Sequence, residues 1–244
     1  MLRTLTALES LELTGTLVIV SDLSAFQQLR QLQRLELRYQ RIASSHVVDL
    51  TPLSSLTSLH ILLLIGSPIK DISSLANLVN LRRLYLWDNE VSDLSALRGL
   101  IDLDHLSISN TRATDLSVVR GLTKLKWLSL SGHTITELSA LRGSNIESLN
   151  VWAHELRNLS GVEGLRNLRS FSLFGANNID ISPLVHLNTL HSLELHSGTT
   201  QDLSPLQTLS TLRVLKLNGG GFNKAQVDSL KESNPYMLIE HRQY

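Results

Sequence analysis

Histidine, serine, acid and tryptophan occur in this sequence at spacings that invite three kinds of chemistry. His105 stands two residues before Ser107, with Ser129 one repeat further on, and Glu194 stands two residues before His196. On residue type alone, a histidine beside a hydroxyl or a carboxylate admits general-base activation of a nucleophile. His133 and His154 hold equivalent places in neighbouring segments and could share a metal ion. Trp87, Trp127 and Trp152 are all the tryptophan the chain has, and with Tyr85 and Phe174 they could anchor an interface or stack on a ligand.

The elements that position these residues decide among the three. The stretch Asp71 to Ser92, DISSLANLVNLRRLYLWDNEVS, carries an apolar skeleton of Ile72, Leu75, Leu78, Leu81, Leu84 and Leu86 that recurs along the chain. Aligned on the polar residue that opens the DLSxL turn, the units start at Asp22, Asp49, Asp71, Asp93, Asp115, Glu137, Asn158, Asp180 and Asp202, at intervals of 27, 22, 22, 22, 22, 21, 22 and 22. A unit of this size cannot bury its apolar face alone and must stack on its neighbours. The opening acid is expected to accept a backbone N–H two or three residues on, and Pro52, Pro183 and Pro205, three residues after it, suit the start of a turn.

Inward strand positions follow at Leu11/Leu13, Leu35/Leu37, Leu62/Leu64, Leu84/Leu86, Leu106/Ile108, Leu128/Leu130, Leu149/Val151, Phe171/Leu173, Leu193/Leu195 and Leu215/Leu217. Ten parallel strands at about 4.8 Å spacing make a sheet roughly 45 Å long, and the bulkier turn side puts the sheet on the concave face. Alternation then sends the residues between and beside these leucines to the concave surface. All three tryptophans fall in that set. Trp87 and Trp152 share one column with Ser109 and Ser131 between them, which predicts either a recess with aromatic walls and a hydroxyl floor or rings lying flat over the serines. Ile61, Leu63 and Ile65 predict an apolar strip running into Tyr85, either a contact surface or a patch covered by the 41–48 loop.

The pattern LxxLxxLxLxxxxIxDLSxL, over about residues 2 to 221, resembles the 22-residue class of leucine-rich repeats found in bacterial internalins and in the phosphatase-regulating repeat proteins of eukaryotes. The resemblance implies an α/β fold, a leucine-rich repeat solenoid, and a partner such as a host receptor or a regulated enzyme. Two departures stand out. Only Asn89 keeps the family's asparagine after the strand, with Gln40, Ser67, Thr111, His133, His154, Ala176, Gly198 and Gly220 in its place, so those backbone groups need water or a different turn. Residues are also inserted around Leu17 to Ser21 and Arg41 to Val48, where loops offer contact surface.

The two ends differ. A repeat array over 1–221 is expected to pass into a cap over 222–244 within a single domain: Asn223 caps a helix from Lys224 to about Ser233, Gln226 closes the capping box, Phe222 staples against Val227, and Tyr236 to His241 adds a last strand. The first coil has no such cover, which predicts self-association through the uncapped N-terminal coil or a missing upstream segment.

Composition narrows the function. Lys+Arg and Asp+Glu both total 22, so no global basic field draws nucleic acid or anionic lipid. Without cysteine there is no disulfide framework, thiolate zinc site or cysteine nucleophile. No run reaches the roughly 18 apolar residues of a membrane span, and Glu9 and Glu12 interrupt any signal-like core, so the expected location is cytoplasmic or that of a signal-less secreted effector. An open sheet commits its N–H groups to the ladder and leaves no oxyanion hole, and no G-x-S-x-G, H-E-x-x-H or phosphate loop is present. The histidine pair, with no third ligand, is better read as standing in for the lost asparagine. The expectation is a non-catalytic protein-binding module without cofactor or metal, its concave contacts Ile61, Leu63, Ile65, Arg83, Tyr85, Trp87, His105, Trp127, Asn150, Trp152, Phe174 and Glu194. A carbohydrate-binding adhesin, or the recognition part of a larger regulatory enzyme, are the alternatives.

Overall fold

The computed structural model describes residues 4–15, 22–39, 48–66, 69–132, 134–196, 198 and 202–242. They fall into two compact units, Met1–Leu125 and Lys126–Tyr244. The first carries β1 (Ser10–Gly15), β2 (Arg34–Tyr39), β3 (Ile61–Ile65), β4 (Arg83–Trp87) and β5 (His105–Ser109). The second carries β6 (Trp127–Ser131), β7 (Ser148–Trp152), β8 (Ser170–Phe174), β9 (Ser192–His196), β10 (Val214–Asn218), a helix α1 (Lys224–Ser233) and β11 (Leu238–Arg242). All pairings within each unit are parallel and follow chain order.

The register explains why the consensus is strict. Leu62 pairs with Leu84 and Leu64 with Leu86, then Leu84 with Leu106 and Leu86 with Ile108. A one-residue slip would turn each of these side chains to water. They are fully buried, as are Leu75, Leu78 and Leu81 on the opposite wall of the same coil. Burying each leucine stabilises the stack by about 1.5–3 kcal/mol.

Opposite each strand lies a 3₁₀ turn, such as Ser73–Asn77, Ser95–Gly99 or Ser182–His186. The opening residue works two positions upstream of its bonded amide. Asp22, Asp49, Asp71, Asp93, Asp115, Asn158, Asp180 and Asp202 each accept the N–H two residues on, at 2.7–2.9 Å. Glu137, one methylene longer, shows no such bond among the described residues. Pro52, Pro183 and Pro205 sit in the first positions of their 3₁₀ turns, where no donor is needed.

In coils with and without the asparagine, the backbone ladder continues past the strand end. Past the strands, Gly66 N–H donates to Trp87 O, Asp88 to Ser109 O, Gly132 to Trp152 O and Ala153 to Phe174 O, at 2.9–3.0 Å. Thr111 Oγ1 accepts from Ala113 N–H at 3.3 Å, as Asn89 Oδ1 does from Val91 N–H. Gln40, Ser67 and His133 lie outside the described residues, as do the insertion at 17–21 and residues 41–47 of the other.

The 21-residue interval has a local solution. After the short turn Ser139–Leu141, Gly143 takes φ +79° and Ser144 fills a buried position, its hydroxyl bonded to Leu141 O at 2.8 Å. In the following coil Gly161 takes φ +104° against the backbone of Leu138 and Ser139, with its N–H bonded to Glu163 Oε2 at 2.6 Å. Glu163 also pairs with Arg142.

At the C-terminal end Asn223 Oδ1 accepts from Ala225 N–H at 2.8 Å, and Phe222 and Val227 are buried. Gln226 does not close a capping box: its Oε1 is buried without a hydrogen-bond partner. The last strand starts two residues later than expected, because Pro235 and Tyr236 form a turn before Leu238.

Candidate interaction surface

The residues that alternate with the buried leucines form the outward face of each sheet. In the first unit, Leu63, Tyr85 and Ser107 are in register across β3, β4 and β5, with Ile65, Trp87 and Ser109 beside them. Leu63 is 8 % exposed despite its outward position, and Ile61, Ile65, Tyr85 and Trp87 are half-buried. The expected apolar strip therefore runs into a tyrosine and a tryptophan. The Trp87 indole N–H donates to the Ser107 hydroxyl at 2.8 Å, and Tyr85 meets Trp87 edge to face with centroids 5.8 Å apart. Trp87 is tied down at its polar end, so little rotamer freedom remains for a ligand to freeze. Arg83 is exposed, and His105 is half-buried with Nδ1 against the Asp104 carboxylate.

In the second unit, Trp152 of β7 is opposite Phe174 of β8 and stacks on it, centroids 4.4 Å apart and planes 24° apart. Phe174 lies against the His196 ring of β9 at 4.1 Å. In-register parallel strands about 4.8 Å apart produce such a row whenever one column is aromatic. Trp152 at its end is 54 % exposed. On its other side stands Ser131, too small to cover the ring. Beyond His196, Asn218 donates to Glu194 Oε1 at 2.7 Å, and His196 Nε2 lies 3.5 Å from the same oxygen. Asn150 and Trp127 are half-buried on the same sheet face.

In two of the candidate pairs the hydroxyl or the carboxylate already has another partner. The Ser107 hydroxyl is buried and serves Trp87, and the Glu194 oxygen nearest His196 is shared with Asn218. His154 Nδ1 donates to Gly175 O at 3.1 Å in the next coil, a contact between coils of the kind expected for a residue replacing the asparagine. A hollow of about 410 Å³ on the turn side of the coils has a mixed lining, with Lys70, Asp71, Ser73, Asp93 and Ser95 beside Ile72 and two alanines. Its aspartates already cap the turns.

Three participants were not legible as such. Glu36 is 1 % exposed on an outward position, clasped by Arg34 and Arg38. Ser107 is an acceptor for Trp87, and Asn218 is a hub for Glu194 and His196. Alternation placed all three on this face; which neighbour each side chain turns to depends on rotamers that the repeat pattern does not encode.

Comparison with known proteins places this architecture. Residues 79–121 match a family model described as Leucine Rich repeats (2 copies). No curated protein matches the sequence. Among solved structures, an internalin (InlF) from Listeria monocytogenes is similar at 24 % identity and a TM-score of 0.66, covering 99 % of this chain and 77 % of that one. Internalin C2 from the same organism is similar at 29 % identity and a TM-score of 0.58, covering 88 % and 84 %. A functional domain of InlJ, described as including a cysteine ladder, aligns at 19 % identity and a TM-score of 0.50, covering 88 % and 64 %. This chain has no cysteine.

Proposed function

We propose that this leucine-rich repeat chain, with the fold of the bacterial internalins, is a non-catalytic interaction module that docks a protein or peptide on the outward face of its strands. Leucine-rich repeat folds of this type are interaction modules, and the aromatic row Trp152, Phe174 and His196, exposed at its Trp152 end, is the observation that carries the assignment here. A tryptophan more than half exposed on a sheet whose other side is fully packed offers a large area for few frozen torsions. The contacts are Trp152, Phe174, Asn150, Trp127 and Glu194 in the second unit and Ile61, Leu63, Ile65, Arg83, Tyr85, Trp87 and His105 in the first.

The test is affinity capture from cell extract, followed by titration of the captured protein after purification, against wild type, Trp152→Ala/Phe174→Ala and Tyr85→Ala/Trp87→Ala, each confirmed folded by circular dichroism. An aromatic hot spot costs about 2 kcal/mol on truncation, roughly a thirtyfold loss of affinity. A partner that binds all three proteins equally would refute the reading.

The uncovered side of Trp152 above Ser131 favours one further reading, a saccharide stacked on that indole. A glycan array separates the two: retention of a pyranose that is lost with Trp152→Ala supports the adhesin, and an empty array removes it.

A further inference from the structure

We infer that Glu36 is a buried strut that organises Arg34 and Arg38 into an acid-recognising clamp, and that the ligand docked on the first unit is an acidic polypeptide segment carrying apolar side chains. The inference rests on the protein-docking reading and adds the chemistry of the partner.

The argument begins with an oddity of β2. Its three outward residues are Arg34, Glu36 and Arg38, and the middle one, on the side of the sheet that faces water, is 1 % exposed. A carboxylate is buried only when its oxygens are paired. Both are: Arg34 Nη2 donates to Oε2 at 2.7 Å, and Arg38 Nε donates to Oε1. Two guanidinium groups share one carboxylate, which leaves the trio one positive charge. The arginine side chains remain 41 % and 50 % exposed. A guanidinium has five N–H donors, and Glu36 engages one nitrogen of each, so donors remain for a second carboxylate. Because Glu36 holds both from the strand itself, less rotamer entropy is lost when a ligand arrives.

The neighbours indicate what that ligand looks like. Across β3 the face is wholly apolar, with Ile61 paired to Arg34 and Ile65 to Arg38. Across β4 it becomes basic and aromatic, with Arg83 paired to Ile61 and Trp87 to Ile65. The order is therefore basic, apolar, basic-aromatic. From β2 to β4 is two strand spacings, about 10 Å, the reach of about three extended residues. An extended segment laid across the strands would place carboxylates at i and i+3 over Arg34 and Arg83 and apolar side chains between them over Ile61, which is in register with both. Glu12, paired in register with Glu36, closes the β1 side against acidic ligands and sets the direction.

The experiment uses the full chain and three labelled peptides of one length: an acidic one with Glu at i and i+3 around two leucines, its Gln counterpart and its Lys counterpart. A thymidine oligonucleotide is the fourth probe. The acidic peptide should bind roughly tenfold tighter than the Gln peptide at low salt, with the advantage fading as salt rises. Arg34→Ala/Arg38→Ala should abolish that advantage. The decisive variant is Glu36→Gln. It removes a negative charge, so a surface acting by net charge alone would bind the acidic peptide more tightly; loss of a strut makes binding weaker. If Glu36→Gln does not fold, Arg38→Lys, which keeps the charge and loses the planar fork, should weaken binding in the same way. Tighter binding by Glu36→Gln, equal affinity for the Glu and Gln peptides, no binding of the acidic peptide, or preference for the oligonucleotide would each overturn the inference. Equal affinity for Glu and Gln peptides together with loss in Tyr85→Ala/Trp87→Ala would leave docking standing without acid recognition. A captured partner indifferent to every aromatic substitution would instead remove the docking reading.

Discussion

Gly161→Ala should be among the more damaging single-methyl additions available to this protein, and its cost can be worked from two separate causes. The first is conformational: at φ +104° an L side chain meets its own backbone, a penalty of about 1–2 kcal/mol. The second is steric. A Cβ at this position would fall closest to Leu138 O, with Ser139 Cα at 2.7 Å and the Leu138 carbonyl carbon at 2.8 Å, where ordinary contact begins beyond 3.4 Å. These are backbone atoms of the preceding coil and cannot rotate aside, so overpacking adds about 1–3 kcal/mol. The sum, about 2–5 kcal/mol, corresponds to a drop of about 0.7–1.7 M in urea midpoint for a slope near 3 kcal/mol per molar. Two controls isolate the causes. Gly143→Ala, with φ +79° and nothing within 4 Å, should show the conformational cost alone. Gly99→Ala, with open space and no left-handed φ, should be neutral or slightly stabilising, by about 0.4–1 kcal/mol. Urea unfolding followed by circular dichroism ranks the three. If Gly161→Ala is no worse than Gly143→Ala, the packing of coil against coil at this point is not as described.

Further outcomes follow from the turns and the cap. Asp93, Asp115 and Asp180 titrate below the ordinary aspartate range, chiefly through the backbone N–H of Ser95, Ser117 and Ser182, and Asp49 does so chiefly through the Thr51 side chain. A carboxyl held low in the folded state contributes stability above its unfolded value near 4, and that stability is lost as pH falls through the folded values. The urea midpoint should therefore be flat from pH 7 to 5 and fall below about pH 4. Asp93→Asn/Asp115→Asn/Asp180→Asn, which keeps the accepting oxygen, should make that fall shallower, and an unchanged pH profile would contradict the assignment. At the other end, Asn223→Ala should cost about 1 kcal/mol and speed hydrogen exchange in the first turn of α1, with Asn223→Ser restoring both. Gln226→Leu should cost nothing, since its Oε1 has no partner to lose.

Much of the fold was legible because the information is redundant. A strand leucine that appears in every coil at the same offset can be assigned from any one of them, and the observed register pairs those leucines one to one. The Asp-to-amide bonds were readable for the same reason. What escaped was whatever happens once. Residues 41–47, where the period is broken by insertion, have no counterpart to align to. The burial of Glu36 was not readable, because nothing in RLELR distinguishes an exposed acid from one clamped out of water. Trp152 and Phe174 were placed side by side by the period, but their face-to-face stacking, and the bond that anchors Trp87 to Ser107 instead, depend on side-chain torsions. The capping box failed for a similar reason: spacing put Gln226 three residues after Asn223, and packing took its amide elsewhere.

The shortened coil has a consequence for how such a chain can grow. Coils that share a 22-residue interval present interchangeable edges, so a gene segment encoding Asp71 to Ser92 could be copied in tandem and the copy would find its leucines, its Asx turn and its register waiting on both sides. The coils beginning at Glu137 and Asn158 are not interchangeable in this sense. Gly161 fits only against the Leu138–Ser139 backbone, Glu163 needs Arg142, and Ser144 takes a place that other coils give to leucine. A crossover between residues 137 and 163 would separate partners that must be inherited together, so this pair should behave as one hereditary block and length variation should accumulate elsewhere in the array.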